Sequence, residues 1–95
     1  MDRQEIENLL YHIMQKFVPG EVLPELWREG RRLPLTGEQW DFDAVRMTYL
    51  FFEVEREFSI LINPDHLIDY RFNSVEGILD IVCSCLRQAG GKIIR

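Results

Sequence analysis

The stretch Trp40–Phe58, WDFDAVRMTYLFFEVEREF, decides the fold. An acidic turn, Asp41 and Asp43, runs straight into a helical pattern that is apolar nearly all the way round. Met47, Leu50, Phe51, Val54 and Phe58 recur at helical spacing and make one continuous stripe. Val45, Tyr49 and Phe52 make a second stripe, rotated away from the first. A helix that is apolar on two faces is either buried on both or buries one and offers the other to a partner. That choice governs what can be inferred about function.

Outward from this helix, 95 residues leave room for one domain with one modest core. Hydrophobic residues make up 46% and charged residues 28%, a globular balance. The net charge of −5 has the wrong sign for the electrostatic attraction that drives nucleic-acid binding, so no nucleic-acid partner is expected. The same acidity opposes anionic membranes and suits a protein partner with a basic docking face. There is no apolar run long enough to span a membrane, and the polar start MDRQEIEN is unlike a signal peptide, so the expected location is cytoplasmic. Cys83 and Cys85 lie two apart on a predicted helix, point to different sides of it and cannot readily bridge each other. Free thiols fit a reducing compartment.

Asp2 with Glu5 forms a capping-box pattern opening a first helix over about 2–17, with Ile6, Leu9, Leu10, Ile13, Met14 and Phe17 on its apolar stripe. Pro19-Gly20 stops it. From Val18 to Trp40 no period is sustained, and Pro24 to Trp27 opens at most one short helical turn. A crossover this long is a structured connection or a functional loop, with Leu23, Leu26, Trp27, Leu33, Leu35 and Trp40 to pin it down. Arg28, Arg31 and Arg32 form the one basic cluster and are expected to be a solvated patch, with docking against an acidic partner as the alternative. The central helix spans about 42–58, with Asp41 or Asp43 as its cap. Asn63-Pro64-Asp65 opens a short helix over 64–69, and Ser74 caps a last one over 74–88 that Gly90-Gly91 ends, leaving Lys92–Arg95 as a frayed tail. Only residues 58–62 resemble a strand. The expected class is all-α: a four-helix bundle of three longer helices and one short, with a long loop between the first two.

No catalytic constellation emerges. His12 and His66 are not near a cysteine at metal-ligand spacing, no glycine-rich phosphate loop is present, and the serines are few. Asp41 and Asp43 are better explained as helix caps than as an acid/base pair. The expectation is a protein without enzymatic activity and without a metal site.

The order of these pieces resembles the acyl carrier protein family. That family has a Gly-x-Asp-Ser-Leu turn at the start of its second helix, a Leu-rich stretch ending Glu-Glu-Glu-Phe, then Ile-Pro, a short third helix, and Thr-Val opening the last. Here DFDAVRMTYLFFEVEREF, LINPD and FNSVEGILDIV stand in the same order at nearly the same spacings, over about residues 38–86. LTG at 35–37 and TYLFFEVEREF at 48–58 also look like the acyl carrier-related proteins of bacterial peptide maturation systems. Under the resemblance, Asp-Ser-Leu falls on Asp43, Ala44 and Val45. The serine hydroxyl of the family holds a 4'-phosphopantetheine arm; alanine has no such oxygen, so this cofactor is not expected at Ala44. Thr48 and Thr36 carry hydroxyls nearby but outside that turn. Family positions that help dock basic partner enzymes carry Thr48 and Tyr49 here.

Three readings follow. In the first, the chain is a non-acylated docking or accessory module, presenting Trp40, Val45, Tyr49 and Phe52 to a protein partner with Glu53 and Glu55 as a charged rim. A peptide-modifying enzyme is the kind of partner the narrower resemblance implies, and a homodimer through the same stripe is a variant. In the second, it is a working acyl or peptidyl carrier whose prosthetic group is attached to another hydroxyl or bound non-covalently. In the third, the crossover covers the stripe, with Trp27 or Trp40 over Tyr49 and Phe52, and function stays open.

Overall fold

A computed structural model describes the backbone of residues 1–68 and 70–93, and the side chains of 1–67 and 70–87. Five helices run in order: α1 Arg3–Met14, α2 Leu23–Glu29, α3 Ala44–Phe58, α4 Asp65–Ile68 and α5 Val75–Ile93. No strand occurs among the described residues, so the class is all-α as expected. Five helices replace the expected four because the crossover carries α2, which runs for seven residues rather than a single turn. Pro24 sits in its first turn, where a missing N–H costs nothing.

The helix starts follow from local chemistry. At α1 the Asp2 carboxylate accepts from the Glu5 N–H at 2.8 Å and the Glu5 carboxylate accepts from the Asp2 N–H at 2.9 Å, completing the capping box. At α3 it is Asp43, not Asp41, that caps, accepting from the Arg46 N–H at 2.8 Å. The Asn63 side chain accepts from the Asp65 N–H at α4, and Ser74 Oγ accepts from the Gly77 N–H at α5. α3 ends where Ser59 turns left-handed, with φ 55°.

The predicted bounds shift at the ends of α1 and α5. α1 stops at Met14 and continues to Phe17 only as turns. α5 runs through Gly90-Gly91 to Ile93; among the described residues no glycine takes positive φ, so the pair does not form a left-handed stop. The expected end of the short helix at Asp69, and Ile94 and Arg95 of the expected tail, lie outside the described residues.

α1 packs on both α3 and α5. Leu10, Ile13, Leu50, Val54, Ile78 and Leu79 are fully buried at the centre of the core, each on the face its helical period assigns. The segment 60–62 alternates like a strand, Ile60 and Ile62 buried and Leu61 exposed, but no neighbour pairs with it. The Glu55 backbone and side chain hold it instead, accepting from the Ile60 and Ile62 N–H groups at 3.0 and 2.8 Å.

The crossover is folded down onto the bundle. Leu23, Leu35, Trp40 and Phe42 are buried, and the Trp40 indole N–H donates to the Gly30 carbonyl at 2.8 Å. The Leu35 N–H donates to the Asn73 carbonyl at 3.0 Å, and the Asn73 amide brackets Thr36. Arg31 does not belong to a solvated patch. Its guanidinium reaches Glu76 at 2.8 Å and Glu7 at 3.1 Å and lies 5.3 Å from the Trp27 ring centre, tying the crossover to α5 and α1. Arg3 joins the same cluster through Glu7, Glu76 and Asp80. Gly77 makes the opposite junction possible: a Cβ there would lie 1.8 Å from the Arg71 carbonyl oxygen.

Candidate docking face on the central helix

α3 presents two faces of opposite fate. Leu50, Phe51, Val54 and Phe58 point inward and are buried. At about 100° per residue, Val45, Tyr49 and Phe52 point roughly the other way. They are 61%, 62% and 59% exposed, so neither Trp27 nor Trp40 covers them. The two tryptophans of the crossover pack elsewhere, Trp40 against Phe42. Trp27 stacks edge-on against Tyr11, at 5.2 Å between ring centres.

Ala44 is the first residue of α3 and is exposed, next to the Asp43 cap and the base of the stripe at Val45. Asp43 and Asp41 are exposed too, and Asp41 takes the left-handed conformation, φ 56°, that swings the chain from the buried Trp40 into the helix. The two hydroxyls nearest the turn are engaged. Thr48 Oγ1 donates to the Ala44 carbonyl at 2.9 Å, and Thr36 Oγ1 accepts from the Asn73 amide at 3.0 Å.

The expected partner-facing set divides. Val45, Tyr49 and Phe52 form one exposed stripe, and Phe52 is steadied from below. It meets the edge of buried Phe51 at 5.8 Å, which in turn packs on Phe72 at 5.2 Å. Trp40 is corrected: at 4% exposure, and with its indole N–H bonded inside the chain, it is a pin of the crossover. Glu53 and Glu55 are corrected as a free rim. Glu53 bonds Lys16 in the turn after α1 and Arg56 one turn on, and Glu55 holds the Ile62 N–H. The Lys16 ammonium, more than Arg56, holds the Glu53 carboxyl below the usual carboxylate range. What borders the stripe in place of those acids is Asp43, Arg46 and Arg56, all exposed.

The structure adds a short apolar groove that the sequence did not single out, about 170 Å³, between Met47 of α3 and Leu67, Tyr70 and Phe72 near α4. Leu67 and Tyr70 are themselves exposed. Their hydrophobic character was legible, but which helix they would face was not.

Cys83 and Cys85 are unpaired and half-buried. Burial raises the Cys85 thiol pKa, making it a weaker acid and less often the reactive thiolate. Among the described residues no group of three or more His, Cys, Asp or Glu has the geometry to hold a metal ion. No described helix is long and apolar enough to cross a membrane. Compared with protein-family models, curated proteins and solved structures, the chain matches none. The geometry of the site is therefore what the functional argument rests on.

Proposed function

We propose that the chain is a non-catalytic, acyl carrier-like module that has lost its arm-bearing serine and binds another protein through the outer face of α3, as an accessory to peptide-modifying enzymes in the cytoplasm. One observation carries this reading: Ala44 heads α3 in the open, and directly behind it Val45, Tyr49 and Phe52 stand bare on a helix whose other face is fully packed. Large apolar side chains grouped this way are scarce on bare surfaces and enriched in interfaces. Two of the three are aromatic, the type that anchors hot spots. Phe52 is held from the core by Phe51, so less conformational freedom is lost when a partner covers it.

The working-carrier alternative is separated by one experiment. Incubation with coenzyme A and a broad-range phosphopantetheinyl transferase, followed by intact mass, is expected to leave the mass unchanged. A gain of one phosphopantetheine would overturn the proposal. Light scattering over a concentration series distinguishes a homodimer through the same stripe, because Tyr49→Ala would then abolish concentration-dependent growth in mass.

A further inference from the structure

A second surface, remote in sequence from the α3 stripe, has the makings of a recognition site. α2 and the loop after it enclose an open groove of about 530 Å³, lined by Val22, Glu25, Leu26, Glu29, Leu33 and Gln39 over a floor at Gly30. We infer that this groove binds a peptide segment carrying a Lys or Arg side chain beside an aliphatic one. The inference is independent of the α3 reading.

The groove is apolar along one side and anionic along the other. Val22 and Leu33 are 46% and 37% exposed, while Leu26 is half-buried between them. Glu25 and Glu29 are four residues apart on α2, which puts both carboxylates on the same face one turn apart. Neither is consumed by the fold. Among the described residues Glu25 has no ion pair, and Glu29 has only its exposed neighbour Arg28 at 3.3 Å. Among the described residues no Lys or Arg lines the groove; Arg31 is turned inward to Glu7 and Glu76.

The floor is preformed. A Cβ at Gly30 would lie 2.9 Å from the Leu26 carbonyl and 3.0 Å from the Trp40 indole nitrogen, so glycine keeps that wall low. The Trp40 indole, bonded to the Gly30 carbonyl, fixes it from beneath. A pocket of this volume with an apolar wall and two convergent charges fits a short chain segment.

Charge then selects the occupant. An anion is repelled, and a neutral apolar ligand leaves the Glu25 charge uncompensated one turn from Glu29. A Lys or Arg compensates it while its methylene stem, or an aliphatic neighbour, covers Val22 and Leu33.

The test uses the full chain, ¹⁵N-labelled, titrated with acetyl-Leu-Lys-Leu-Arg-Leu-amide. Saturable shifts are expected at the amides of Leu26, Gly30, Leu33 and Gln39, with a dissociation constant of about 0.1–1 mM. The double variant Glu25→Gln with Glu29→Gln should bind about tenfold more weakly while the rest of its spectrum stays unchanged. Glu38→Gln, exposed but outside the groove, should bind as the parent does. Tyr49→Ala with Phe52→Ala should also leave this binding intact, so failure here is distinct from failure of the α3 proposal. The inference is overturned if the peptide gives no saturable shifts, or if a peptide with Glu in place of Lys and Arg binds equally well. It is overturned as a peptide site if spermidine matches the peptide. Equal affinity of the Gln variant would also overturn it.

Discussion

The crossover and the outer face of α3 contain the same kinds of residue and treat them in opposite ways. In the crossover, Leu23, Leu35, Trp40 and Phe42 are covered, and the polar groups beside them are spent inside the chain: indole on Gly30, Asn73 on Thr36, Arg31 on Glu7 and Glu76. On α3, Val45, Tyr49 and Phe52 are equally apolar and remain in water. The chain had apolar segments enough to cover that face and folded them elsewhere. Residue type alone therefore does not separate core from exposed surface. What separates them is whether a distant segment has a polar group and a shape to close the contact.

The comparison breaks most visibly at Trp40. Trp40→Ala removes a large buried ring and leaves the Gly30 carbonyl without its donor, and is expected to destabilise by about 3–5 kcal/mol, measured as a shift in urea midpoint. Arg31→Met is the next test, because it leaves the half-buried Glu7 and Glu76 with Arg3 alone as their shared cation. A loss of about 1–2 kcal/mol is expected.

The same clasp has a pH signature. The hydrogen bond from Arg31 is the main reason the Glu7 carboxyl lies below its usual range, and Lys16 acts likewise on Glu53. A lowered folded pKa contributes stability that is fully present above the unfolded carboxylate pKa. It is lost as pH falls through the folded values, so the parent should weaken on the acid side of about pH 4. Arg31→Met should flatten the Glu7 part of that acid limb and leave the neutral-pH stability nearly independent of pH.

Smaller effects sharpen the contrast at α3 itself. Ser59 closes the helix in the left-handed region, φ 55° and ψ 48°, where a Cβ is unfavourable. Ser59→Gly is expected to stabilise by roughly 0.5 kcal/mol, the relief of strain exceeding the added freedom of the unfolded chain. Tyr49→Ala should change stability by no more than about 0.5 kcal/mol and Phe52→Ala by no more than about 1 kcal/mol, because both rings are mostly exposed and only Phe52 gives up a ring contact, with Phe51. A Trp40-sized loss at either position would place that ring in the core.

Much of this was legible in the sequence where the determinants are local. The caps at Asp2, Asn63 and Ser74, the apolar stripes of α1, α3 and α5, and the separate stripe of Val45, Tyr49 and Phe52 follow from spacing and short-range hydrogen bonding, whereas the exposure of that separate stripe does not. The misplaced residues depend on partners outside their own helical period, from seven residues away for Glu55 on the Ile62 N–H to 45 for Arg31 on Glu76. Trp40 carries an equally good signal for an interface anchor and for a crossover pin, and only the Gly30 carbonyl at the right distance decides between them. Glu53 is diverted by Lys16, 37 residues earlier, and Arg31 by Glu76, 45 residues later. The hydrophobic period of α3 says nothing about these charges, since it specifies which way a residue points and not what waits there.

The claim that the bare face of α3 is a docking surface is tested most directly by photocrosslinking from within it. A benzophenone introduced by Phe52→p-benzoylphenylalanine in the full chain, irradiated in a lysate of its native cell, is expected to yield one discrete protein adduct, a partner or a second copy. Tyr49→Ala should abolish it, and the same probe at exposed Glu38 should not produce it. No discrete adduct from position 52, or the same adducts from both positions, would contradict the account.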